Sequence, residues 1–364
     1  MNKHRVALNE SFTIGKNAPT ALNVLVGANC YEQIDKEYEK IATVLDSDLP
    51  VSIITDLSLV EAPKGKALWS IVANDERCIS GTVPVYQVIS KKNTIEKNKL
   101  LELIQFQAES GVRIITIHPT PSLELINCCK ERLVPITSRG GAIVCLDLMN
   151  KHREDNIYIQ IIDEIIKIAK ENSVVLSIGS SFRSANIHDA LDSAYYMEIK
   201  KQIEIADYCR QQNVNAIIET PGHVSPQGIF KLCDYLNKHC PHPIMPLGPI
   251  PTDCAFEYDD LAASIGSVLM GTKGCADILS VVTSDEHLGG IPSVQSILEA
   301  TKKYSVAKHI IDIYKINDTT IDYQTALTRS KRNSCIMDDK TCSRCADVCP
   351  LKINCNITKN YYDK

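Results

Sequence analysis

Four of the chain's 15 cysteines fall in one short stretch near the C-terminus, Cys342-Ser-Arg-Cys345-Ala-Asp-Val-Cys349-Pro-Leu-Lys-Ile-Asn-Cys355. The first three are spaced C-x2-C-x3-C, and Pro350 follows the third. Such spacing lets one loop wrap a compact metal site. Thiolates at this density suit an iron–sulfur cluster, because the pattern overlaps the bacterial ferredoxin run. A closed tetrahedral zinc site and a set of disulfides or free thiols are the alternatives. The number of binding thiolates decides the chemistry. Three leave one iron open to a small molecule, whereas four close the site for a structural or electron-transfer role.

The other residues with chemical potential stand where short apolar runs end. Glu219 and His223 lie four apart across Thr-Pro-Gly, and a carboxylate and an imidazole on one turn can share a metal or divide acid–base work; the plainer reading is a pair that caps the following helix. His287 ends another run and can join His223 in a two-histidine metal site, or stand as a surface histidine. His118 closes an apolar run, either as a buried core histidine or as a ligand contact. Ser138-Arg139-Gly140-Gly141 offers backbone N–H groups and a guanidinium as a phosphate cradle, with Arg183 as a second cationic grip. Tyr86 can donate one hydrogen bond, or serve as a core aromatic.

The runs that carry these residues are Leu22–Gly27, Val51–Asp56, Ile79–Tyr86, Arg113–His118, Val134–Ser138, Val174–Gly179, Val214–Glu219, Pro243–Gly248 and Ala276–Thr283. They are near-continuous apolar stretches, as expected of parallel strands covered on both faces. Amphipathic helical stretches separate them, such as Ile157–Ala169. Alternation of this kind predicts an α/β fold. A doubly wound sheet would carry a G-x-G-x-x-G turn after its first strand, but only Val26-Gly27-Ala28-Asn29 is found there. A (β/α)8 TIM-type barrel is therefore expected, with one of the nine runs outside it and the polar residues at the C-terminal strand ends where such barrels hold their chemistry. The expected layout is an N-terminal segment 1–20, a barrel domain 21–317, and a C-terminal arm 318–364, in which a mobile tether carries the cysteine loop.

Composition narrows the classes. A net charge of −5 gives no basic surplus for nucleic acid. Met1-Asn-Lys-His-Arg5 leads into polar residues, so no signal peptide is expected, and no long uncharged apolar stretch predicts a membrane span. The other 11 cysteines, Cys335 among them, are scattered and read as buried, reduced side chains of a cytoplasmic protein.

Several motifs occur in one order: Gly81-Thr-Val-Pro-Val-Tyr86-Gln, Thr116-Ile-His118, Ser138-Arg-Gly-Gly141, Glu219-Thr-Pro-Gly-His223-Val, Leu247-Gly-Pro249 with Thr252-Asp253, Ser264-Ile-Gly266, Glu286-His-Leu-Gly289, and the cysteine loop. Together they resemble the phosphomethylpyrimidine synthase (ThiC) family of radical S-adenosylmethionine (SAM) enzymes, over about residues 22–355. The resemblance implies a (β/α)8 barrel with a C-terminal iron–sulfur cluster arm, in a homodimer or a heterodimer with a homologue. It implies contacts to an imidazole ribonucleotide from Tyr86, His118, Ser138, Arg139, Gly140, Arg183 and Glu219. It implies a divalent metal, zinc or iron, on His223 and His287. It implies a 4Fe-4S cluster whose first two cysteines are Cys342 and Cys345, with SAM on an open iron; Cys349 is expected as the third ligand and Cys355 as spare. An electron donor such as flavodoxin or ferredoxin would reduce that cluster, and a 5′-deoxyadenosyl radical would start a lyase reaction on 5-aminoimidazole ribonucleotide in thiamin biosynthesis.

The departures are specific. The family spaces its third cysteine C-x2-C-x4-C, a position held here by Pro350. Its Asp-Gly-Leu-Arg segment is Ser180-Ser-Phe-Arg183, a tyrosine is Met245, an asparagine is Leu25 and a methionine is Thr55. They point to altered substrate handling. The alternatives are a synthase of the 5-hydroxybenzimidazole type acting on the same ribonucleotide for an anaerobic cobamide lower ligand, and a non-catalytic subunit that partners an active homologue.

Overall fold

The computed structural model describes residues 4–60, 66–337 and 342–353. Eight parallel strands close into a barrel: β3 (Ala21–Val26), β4 (Ile53–Asp56), β5 (Ile79–Thr82), β6 (Ile114–Ile117), β7 (Val175–Ile178), β8 (Ala216–Pro221), β9 (Ile244–Leu247) and β10 (Ile278–Ser280), with β10 pairing both β3 and β9. Helices alternate with the strands, giving a (β/α)8 TIM barrel. The chain divides into two compact units, 1–316 and 317–364.

Each strand is apolar on both faces because each face is covered. Outward residues such as Val24, Ile54, Ile115, Leu176, Ile218 and Leu279 pack under the helices. Inward residues at the N-terminal end, Ala21, Ile53, Ile79, Ile114, Val175, Ile217 and Ile278, form a second apolar layer. That layer is plugged by a two-stranded antiparallel hairpin, β1 (Arg5–Ala7) and β2 (Thr13–Gly15), which inserts Val6, Leu8 and Ile14. Sequence reasoning missed the hairpin, since three-residue strands leave no readable period.

Two readings of the chain are corrected. The run Val134–Ser138 is not a strand. Pro135 has no N–H for a ladder, and the N–H groups of Leu133 and Val134 donate instead to the carboxylate of Asp189, each at 3.0 Å. The stretch expected to be a mobile tether contains a 13-residue helix, Thr320–Arg332, closed by Asn333 in the left-handed conformation (φ 48°).

Candidate active site at the barrel mouth

Above the apolar layer the barrel interior turns polar. Thr55 donates to the side-chain oxygen of Asn23 at 2.8 Å, and the Asn23 amide reaches Ser280 at 3.2 Å and the Met245 sulfur at 3.7 Å. Across the barrel, Glu219 Oε1 accepts from Ser177 at 2.8 Å and Thr116 at 3.1 Å. Burial raises the Glu219 pKa, opposed by the Ser177 hydrogen bond and the charge of Arg183. These hydroxyls hold a carboxylate that would otherwise be desolvated without compensation.

His118, at the end of β6, is clasped between two glycines. A Cβ on Gly140 would lie 2.2 Å from the ring's Cε1, and one on Gly179 would lie 2.8 Å from its Cδ2, so neither position admits a side chain. Burial, then the nearby Arg183, pulls the His118 pKa down to about 3. The ring is a neutral imidazole, and its buried Nδ1 has no hydrogen-bond partner among the described residues. Ser138 is buried as the N-cap of the helix Arg139–Asn150 and accepts from the Gly141 N–H at 3.1 Å. That places Arg139 in the first turn, where its guanidinium lies 5.1 Å from the centre of the Tyr86 ring.

Arg183 draws these residues into one site. Its charge acts on His118, Glu219 and Tyr86, and Tyr86 also feels Arg139. Its Nη1 donates to the Ser180 carbonyl at 2.7 Å. The loop behind it is set by Glu198, which sequence reasoning missed. The Glu198 carboxylate accepts from the N–H groups of Ser181 (2.6 Å) and Phe182 (2.7 Å) and from the hydroxyls of Thr120 (2.6 Å) and Ser180 (3.2 Å). No strand-end position marked it, because it sits inside the long helix Ser193–Gln211. The Ser180 hydroxyl is thereby turned inward.

His223 and His287 come together on the loops after β8 and β10, with ring centres 5.2 Å apart. Each Nδ1 is tied to a carboxylate: His223 to Asp253 at 2.7 Å, His287 to Asp259 at 3.0 Å. With Nδ1–H donating, each Nε2 keeps its lone pair, the arrangement that supports metal-ligating histidines. Among the described residues no three His, Cys, Asp or Glu side chains form a group that could hold a metal ion, so the pair alone supplies at most two ligands.

In the C-terminal unit, Cys342, Cys345 and Cys349 line a cavity of about 120 Å³ together with Cys335. None of the four is in a disulfide. Cys335 was expected to be buried; it is exposed, as is Cys254. Cys355 lies outside the described residues.

Solved structures similar to this chain include a dihydropteroate synthetase with its product (9% identity, TM-score 0.45, covering 84% of this chain and 100% of that one). A 7,8-dihydropteroate synthase from Vibrio fischeri ES114 matches similarly (9% identity, TM-score 0.46, 85% and 98%). At these values the likeness transfers nothing to this chain. The expectation that named phosphomethylpyrimidine synthase is corrected: what matches is a family model and not that individual enzyme, and the chain is not identified as a phosphomethylpyrimidine synthase. No described helix is long and apolar enough to cross a membrane. The family model for the "Radical SAM ThiC family" matches residues 1–337, nearly the whole chain. The chain belongs to the radical SAM ThiC family, an assignment that implies a 4Fe-4S cluster and SAM chemistry.

Proposed function

We propose that the chain is a radical SAM lyase that acts on an aminoimidazole ribonucleotide at the barrel mouth. The observation that carries this is the convergence of two guanidinium groups and a buried carboxylate around Tyr86, with a neutral imidazole beside one of those guanidiniums, Arg183. Arg183 and Arg139 would hold the phosphate, the latter with the N-terminus of its helix behind it. His118 stays neutral near pH 7, so in the tautomer that carries its proton on Nε2 the unpartnered Nδ1 can accept from a substrate N–H or O–H. Glu219 orients the ring or sugar through its remaining acceptor capacity.

The cysteine cavity suits a cluster better than a lone ion. Four thiols lining one space match the thiolate density of an iron–sulfur site. Cys342, Cys345 and Cys349 would hold the cluster, which with SAM supplies a 5′-deoxyadenosyl radical. His223 and His287 would hold a divalent metal, with Asp253 and Asp259 fixing their tautomers. The altered positions favour a product other than the thiamin pyrimidine: the Ser180 hydroxyl is committed to Glu198, and the Met245 sulfur meets Asn23.

Anaerobic incubation of reconstituted protein with SAM, dithionite and 5-aminoimidazole ribonucleotide tests the reading. Release of 5′-deoxyadenosine that depends on the ribonucleotide is expected. No release with a fully loaded cluster would leave the non-catalytic partner subunit. Analysis of the carbon product separates the pyrimidine from a benzimidazole.

A further inference from the structure

The cavity in the C-terminal unit contains one more thiol than the C-x2-C-x3-C loop supplies. Its lining includes Cys335, Cys342, Cys345 and Cys349, flanked by Arg332 and Lys352. The local backbone explains how Cys335 reaches it. The helix Thr320–Arg332 ends at Asn333, whose left-handed conformation reverses the chain. The Ser334 N–H then closes back on the Arg329 carbonyl at 3.1 Å, and Cys335 follows one residue later. On the other side, the N–H groups of Val348, Lys352 and Ile353 bond to the carbonyls of Cys345 and Cys349 at 3.0–3.1 Å. Each wall of the cavity is therefore a hydrogen-bonded turn presenting cysteine. The two cations suit a fourth thiolate, because every added thiolate makes the assembly more negative.

Resting on the cluster proposed above, we propose that Cys335 is the fourth thiolate of its resting state, bound to the iron that SAM must reach. Binding SAM is then a ligand exchange. Cys335 would leave that iron as SAM takes its place, with no electron moving and the released thiolate taking a proton from solvent. The iron is shielded from oxidants until the co-substrate arrives.

The test uses the full-length protein, reconstituted anaerobically with isotopically enriched iron and without SAM. Mössbauer spectra of the parent should show all irons in sulfur-only surroundings. Cys335→Ala should show one iron in four as a distinct oxygen-ligated site. Mild ferricyanide should drive that variant, but not the parent, to the electron paramagnetic resonance signal of a 3Fe-4S cluster. Should Cys335→Ala take up no iron, the parent's spectrum decides, and Cys335→Ser, which keeps an oxygen ligand, should shift a single iron. A parent that already shows the distinct iron and yields the 3Fe-4S signal overturns the proposal while leaving the cluster in place. So does a site opened by Cys355→Ala and not by Cys335→Ala. A parent that binds no iron removes the proposed function, and this inference with it.

Discussion

At the scale of single residues, His118 gives the sharpest expectation. The unfolded chain takes up a proton at the ordinary histidine pKa of 6.5, while the folded chain resists until about 3. Stability tied to this ring is complete above 6.5 and is lost as pH falls through that window, at about 1.4 kcal/mol per pH unit. Glu219 and Glu198 work in the opposite sense. Burial raises their folded pKa values, so their cost is present above the ordinary carboxylate range and eases on acidification. Subtracting the His118→Gln profile removes the carboxylate contribution. Urea denaturation between pH 5 and 6.5 should show a shallower pH slope in that variant; equal slopes would mean the ring titrates normally. Glu198→Gln turns an amide N–H₂ toward donors, leaving a backbone N–H of Ser181 or Phe182 unpaired. That should cost on the order of 1–3 kcal/mol and weaken phosphate binding through Arg183, as read by calorimetry with inorganic phosphate. At the His223–His287 pair proposed to hold a metal, Asp253→Asn should lower affinity for a divalent ion roughly 10–100-fold, checked by competition with a chelator.

At the scale of elements, the strands were legible and their exceptions are physical. Runs such as Val174–Gly179 could be read because both faces of a barrel strand are covered, so burial leaves a continuous apolar trace. The same trace misled at Val134–Ser138, where Asp189 rather than a neighbouring strand takes the N–H groups. Strand-end position pointed to His118, Glu219 and His223, but it carries no information about Glu198 in mid-helix or about the hydroxyls of Thr116 and Ser177 that hold Glu219. Cys335 was lost among scattered cysteines because only the turn at Asn333 brings it to the others. The hairpin β1–β2 makes its own prediction. Ile14, 1% exposed and packed into the inner apolar layer, should cost about 2–5 kcal/mol on truncation to alanine, seen as a lower denaturation midpoint with unchanged metal content.

At the scale of the whole molecule, the barrel-mouth residues and the cysteine cavity belong to different compact units. The last helix of the first unit, Val294–Ile316, is tied to the barrel: Thr20 N–H donates to Asp312 at 2.8 Å, and Lys315 pairs with Asp277 at 2.6 Å. A chain ending at Ile316 should therefore keep the circular dichroism and cooperative melting of the barrel, and any divalent metal held by the proposed His223–His287 pair, while iron of the proposed cluster falls to background. Loss of the barrel's melting transition would show that the units fold together. The plugged N-terminal end has a consequence for traffic. A barrel stoppered at one end is a blind vessel, so whatever enters the mouth must leave by the mouth. Substrate and product would then share that doorway, and bound product should inhibit competitively against the proposed ribonucleotide. With the hairpin covering the N-terminal layer, a reactive species formed at the mouth under the proposed chemistry would meet no water through that end.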